Sequence, residues 1–312
     1  MRVLRLIVLC SLLACAPAVS TPPNEVRREE SVRFPATPEV FISQFQGSEG
    51  ITFNGEGKLF IGANNQIWIA EPDGSVRKIA DVHRHLGQAG IGERDILAAD
   101  FGPTNVFQGN DTNDGIVWRI TPDGQKTVAA TGIADPNAVL VFPDKTFLVS
   151  DDGTDKIYHV VGDSVSIWST DVPFPNGMAL SLDNRTLYVA QIFTQIKPAV
   201  GTDAIWAFEL NGTAPAGPAR VVARTGEGGI DGLAMDELGR VYVADNGAGK
   251  IFRYDPRSGD VILIAEGMPS VASLVFGEGD FDHESIYATS TRAGGGKIWK
   301  VKVGVRGARL HR

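Results

Sequence analysis

From residue 49 to residue 303 the apolar positions fall in short runs separated by polar turns, and no stretch repeats with helical period for more than a turn or two. Six apolar runs are alike: 59–63, 96–100, 147–151, 187–191, 241–245 and 286–290. Their starts lie 37, 51, 40, 54 and 45 residues apart, near the roughly 40–50-residue period of propeller blades. A second family of runs follows at 66–70, 115–119, 156–160, 204–208, 250–254 and 297–301. Turns such as Pro72-Asp73-Gly74 and Pro122-Asp123-Gly124 then lead to a further strand. Period-two alternation between such turns indicates antiparallel strands. The pattern predicts an all-β fold, a six-bladed β-propeller with four antiparallel strands per blade. The sixth unit lacks its own last strand, because the chain ends soon after Val303. The segment Glu39–Phe45 is therefore expected to complete that blade and close the ring.

The strand that opens each unit carries the chemistry. Four of them begin with an oxygen-bearing residue, then a small one, then an apolar strand: Glu49-Gly50, Asn137-Ala138, Asn176-Gly177 and Asp231-Gly232. Aligned position for position, the six units place Glu49, Leu86, Asn137, Asn176, Asp231 and about Ala272 at one mouth of the channel. Carboxylates gathered there would repel unless one stayed protonated or a cation lay between them. An oxygen-only donor set suits a hard divalent ion such as calcium.

Composition narrows the partners. Glycine makes up 36 of 312 residues, in keeping with many turns. The net charge of −8, with basic residues concentrated only in the tail 306–312, gives no surface for nucleic acid. Residues 1–20 read as an export leader, with Arg2 and Arg5 ahead of an apolar stretch too short to span a bilayer comfortably. Leu12-Leu13-Ala14-Cys15 resembles a lipobox, which would lipidate Cys15, while Ala16-Pro17-Ala18 offers an ordinary cleavage site. Either places the mature protein outside the cytoplasm, in the periplasm or cell envelope, with membrane contact only through an N-terminal lipid. Both cysteines lie in the leader, so the domain has neither disulfide nor thiol chemistry. The expected organisation is a leader (1–20), a flexible linker (21–36), the propeller (37–305) and the basic tail (306–312).

On Glu49-Gly50, on Pro175-Asn176-Gly177-Met178-Ala179-Leu180 with Leu187-Tyr188-Val189-Ala190, and on Asp231-Gly232-Leu233-Ala234-Met235-Asp236, the chain resembles the senescence-marker-protein/gluconolactonase family. The resemblance implies one divalent metal, usually calcium, held by Glu49, Asn176 and Asp231, with Asn137 touching substrate or a water. It implies hydrolysis of a small-molecule lactone or related ester. Asp231, anionic and beside the metal, is the candidate base for the attacking water, and Asn137 is the second catalytic residue, orienting substrate. The run Ala134-Asp135-Pro136-Asn137-Ala138 lacks the Arg that sugar-lactone members carry before this Asn, a departure that points away from an aldonolactone.

Two long loops, 100–114 and 191–203, open onto the same mouth and bring Phe107 and Phe193 to its rim, where Phe174 joins them. His83 and His85 precede blade two and are expected at the surface; Asp151, Asp152 and Asp245 are expected to cap turns. A non-catalytic binding propeller with a structural calcium ion is the alternative to an enzyme. A strictosidine-synthase-like condensing enzyme ranks behind both, since no acid for that chemistry is evident.

Overall fold

A computed structural model describes residues 32–108 and 113–312. The leader with Cys10 and Cys15, and the linker as far as residue 31, lie outside the described residues, as do four residues of the 100–114 loop. Among the described residues the chain forms six antiparallel sheets, five of four strands and one of five, plus a two-stranded ribbon. The inner strands Ser48–Phe53, His85–Ile91, Pro136–Val141, Pro175–Leu180, Ile230–Met235 and Val271–Phe276 each touch the next, and the last touches the first. The molecule is a six-bladed propeller.

Closure follows the expectation. Glu39–Ile42 pairs antiparallel with Ile298–Lys302, matching Glu39 to Lys300 and Val40 to Trp299. The first ordered strand thereby covers the edge of the last blade. Blade four departs from the simple pattern. The loop expected at 191–203 is itself a hairpin, Phe193–Ile196 with Ala199–Gly201.

The core is divided among the blades rather than central. Six apolar clusters each combine side chains of two adjacent blades. The second strands therefore pack on both faces. Leu59–Ala63 and Val241–Asp245 are buried at every position, which explains why these segments read as nearly continuous apolar runs. Tyr242, Phe53 and Phe60 are fully buried, each worth about 1.5–3 kcal/mol as removed apolar surface.

A repeated polar tie holds the mouth. The third-strand tryptophans donate Nε1–H to the last residue of their second strand: Trp68 to the Ala63 carbonyl (3.1 Å), Trp118 to Asp100 (3.0 Å), Trp206 to Gln191 (2.9 Å) and Trp299 to Ser290 (2.8 Å). Asp100 also accepts the backbone N–H of His83, Arg84 and Gly102. These bonds join the loops of the mouth to the rigid sheets.

The opposite end of the channel is apolar. A cavity of about 360 Å³ there is bordered by Val139, Leu233 and Leu274. Residues 306–312 run back across this end: the Ala308 N–H donates to the Met235 carbonyl (2.9 Å), and Arg312 pairs with Glu278.

Candidate functional site

Every inner strand carries the same irregularity. In the first blade Ser48 faces Ala63 and Ile51 faces Ile61, so Glu49 and Gly50 together oppose one residue. The equivalent slip falls at Leu86-Gly87, Asn137-Ala138, Asn176-Gly177, Asp231-Gly232 and Ala272-Ser273. This is a β-bulge, and bulges re-aim side chains out of the ordinary strand alternation. Six bulges in register occupy the six positions aligned from the sequence, Ala272 included.

The four polar members occupy a buried setting. Asn137 and Asp231 are 4 % exposed and Asn176 is 2 % exposed, while Glu49 is partly buried. Leu86 and Ala272 fill the two remaining positions and are buried as well.

The electrostatics link Glu49 to Asn137, Asp152 and Asp231. Burial holds Glu49 well above the usual carboxylate range, and the charges of Asp231 and Asp152 push it the same way. Arg84 and a hydrogen bond with Asn137 oppose that shift. Burial pushes Asp231 up to about 7; a hydrogen bond from Asn246 opposes this and Asp245 adds to it. Asp152 is likewise raised by burial, against a hydrogen bond from Asn137.

Two residues in the site carry no role in the sequence reading as ligand or acid. Asn137 donates Nδ2–H to Asp152 Oδ2 at 2.8 Å, and Asn246 donates Nδ2–H to Asp231 Oδ2 at 3.3 Å. Both pairs span 15 residues. An inner strand, its turn and the second strand use up that length, so the residue just past the second strand returns beside the start of the first. The signal was available in the sequence as Asn137…Asp152 and Asp231…Asn246, the same two residue types in exchanged order.

The turn-capping expectation holds for two of three acids. Asp151 accepts the Gly153 N–H and Asp245 accepts the Ala248 N–H. Asp152 instead turns to Asn137, because its place after the strand end directs it toward the axis. The histidines divide too. His83 is exposed and contacts Asp100 at 3.2 Å. His85 is only partly exposed, accepts the Asn65 N–H on Nδ1 (2.9 Å), and is lowered by burial to about 4, so it is neutral at pH 7. A surface position is thus corrected for His85, and both histidines border the same cleft as Glu49.

That cleft has a volume of about 840 Å³ and is also bordered by Arg84, Asn105 and Arg292. The aromatic residues of the long loops, with Phe174, form a chain of their own. Phe107 meets Phe193 edge-on (6.0 Å), Phe193 meets Phe174 (6.5 Å), and Phe101 stacks on Phe107 (6.3 Å). Phe174 holds φ +46° immediately before Pro175, a backbone state that bulky side chains seldom adopt.

Among the described residues no three His, Cys, Asp or Glu side chains are grouped to hold a metal ion by themselves. The axial donor set is mixed, with amides from Asn137 and Asn176 beside the carboxylates of Glu49 and Asp231. It nevertheless fits a hard cation. Each member offers an oxygen, and the charges of Glu49 and Asp231 repel one another, a cost that a divalent ion between them would remove.

Residues 148–292 match the family model described as SMP-30/Gluconolactonase/LRE-like region. The matched part contains Asp152, Asn176 and Asp231. Over 146 residues the chain is 29% identical to a protein of Sulfolobus acidocaldarius, across 46% of its own length and 50% of that relative. It spans about half the length of the curated relative it matches. Among solved structures it is similar to regucalcin, a calcium-binding protein from Agrobacterium tumefaciens, at 19% identity and TM-score 0.70, covering 89% of this chain and 98% of the other. It is also similar to a gluconolactonase from Xanthomonas campestris, at 18% identity and TM-score 0.68, covering 85% of this chain and 89% of the other. Identities of this size show a shared fold.

Proposed function

We propose that this chain is a metal-dependent hydrolase of lactones or related esters, working at the bulged mouth of the propeller. The observation that carries the reading is the set of bulges that presents Glu49, Asn137, Asn176 and Asp231 in one register. The lactonase and calcium-binding proteins of the same fold support it.

Glu49, Asn176 and Asp231 would hold a divalent cation, most readily calcium, whose preference for several oxygen ligands suits mixed carboxylates and amides. When bound, the cation supplies polarisation of the substrate carbonyl and stabilisation of the oxyanion formed on attack. Asn246 restrains one oxygen of Asp231 and so fixes the orientation of the other. Asn137 presents an amide whose own N–H is engaged by Asp152, leaving its oxygen to orient substrate or water. Phe107, Phe174 and Phe193 offer an apolar wall for the acyl or ring portion of the substrate. The leader at 1–20 would deliver this activity outside the cytoplasm, with Cys15 as the site of any lipid anchor.

Calcium calorimetry combined with a panel of lactones and aryl esters tests the reading. Wild type should bind one calcium ion per chain and hydrolyse members of the panel. Asp231→Ala should lose both. A wild-type protein that binds calcium and hydrolyses nothing would leave a binding propeller with a structural ion.

A further inference from the structure

We propose that Asp152, on blade three, is the general base that activates the attacking water. The proposal rests on the hydrolase reading above and assigns its proton transfer to a residue that no metal role requires.

Three observations converge on Asp152. Its side chain is buried, at 4 % exposure, and Oδ1 has no hydrogen-bond partner. A buried carboxylate oxygen without a partner forfeits its solvation, unless water or substrate supplies a proton there. Its other oxygen is fixed by the Asn137 amide at 2.8 Å, which sets the direction of Oδ1. The charge of Asp152 acts on Glu49, and the charge of Asp231 acts on Asp152. Asn137, which holds Asp152, lies in the same ring of bulges as the two carboxylates expected to hold the ion.

Asp231 is the weaker candidate for this step, although the sequence pointed to it. One of its oxygens accepts from Asn246, and the other would be engaged by the cation. Among the described residues no three carboxylates are grouped at ligand distance, and Asp152 keeps an oxygen without a partner. The blades divide the work by exchanging residue types. In blade five the acid lies on the bulge and the amide behind it; in blade three the amide lies on the bulge and the acid behind it.

The step balances without a further reagent. A water O–H bond breaks, its proton passes to Asp152 Oδ1, and the water oxygen bonds to the carbonyl carbon. The ring C–O bond then breaks, and its alkoxide recovers the proton from Asp152. The product is the hydroxy acid, and Asp152 returns to the carboxylate.

Asp152→Asn tests this, with calcium calorimetry and hydrolysis of δ-valerolactone and p-nitrophenyl acetate measured on the same samples. The expected result is a kcat at least about 100-fold below wild type, the usual worth of a general base, with the calcium Kd within threefold of wild type. Asp152→Ala should regain part of its rate on adding formate, a rescue that a purely structural role would not produce; it also serves if Asp152→Asn fails to fold. An Asp152→Asn protein with wild-type kcat would overturn the proposal while leaving the hydrolase reading intact. Loss of calcium binding in parallel with activity would overturn it in favour of a ligand role. A wild type inactive on both substrates would sink the hydrolase reading for these substrates and this step with it.

Discussion

Gly177 lies against the backbone carbonyl of Asp231. A Cβ on Gly177 would stand 2.3 Å from that oxygen and 2.6 Å from the Leu233 nitrogen. The same contact recurs around the ring: a Cβ on Gly50 would meet the Leu86 carbonyl at 2.0 Å, and one on Gly87 would meet that of Asn137 at 2.5 Å. The small residue after each bulge is thus the space into which the next blade's site residue fits. Gly177→Ala should push Asp231 off the axis. Overpacking of this kind costs about 1–3 kcal/mol, read as a lower urea midpoint, and calcium affinity should fall with it. An unchanged midpoint and unchanged affinity would show that the inner ring is slack.

The axial acids make the calcium-free protein sensitive to alkali. Asp231 lies near 7 in the folded state, against about 3.9 in an unfolded chain. Between those values the folded chain keeps a proton that the unfolded chain has lost, so its contribution to stability is complete below about pH 4 and is lost as pH rises through about 7. Asp245, raised to about 6, has the same sign. In chelator the melting temperature should therefore fall from pH 5 to pH 8. Calcium should reverse the trend, because the ion requires ionised ligands and displaces their protons. Calcium affinity should accordingly rise over the same interval. A melting temperature independent of both pH and calcium would contradict the shared site.

The aromatic wall should act on substrate binding rather than on chemistry. Phe193 contacts both Phe107 and Phe174, so removing its ring opens the middle of the wall. Phe193→Ala should raise KM about tenfold for substrates with long acyl chains, from the lost apolar area, with kcat little changed. Equal effects on long and short chains would exclude a wall that measures acyl length.

The repeated apolar runs determined six similar units, and a small residue follows each oxygen-bearing one: Gly50, Ala138, Gly177 and Gly232. Both are local constraints. A strand packed on two faces must be apolar throughout, and a bulge pressed on a neighbour's carbonyl has little room for a large side chain. Glu49, Asn137, Asn176 and Asp231 could be aligned for this reason. The tertiary structure decided what the repeat could not. The position of Asp152 depends on an inner strand and its return strand bringing residues 15 apart together, so a residue read as a turn cap came to face the axis. His85 became a partly buried, neutral member of the cleft through the packing around it, and residues 306–312 returned to the far end of the channel through a contact with Met235. Period and spacing are written in the chain one residue at a time; burial and the meeting of charges from separate blades exist only once the ring has closed.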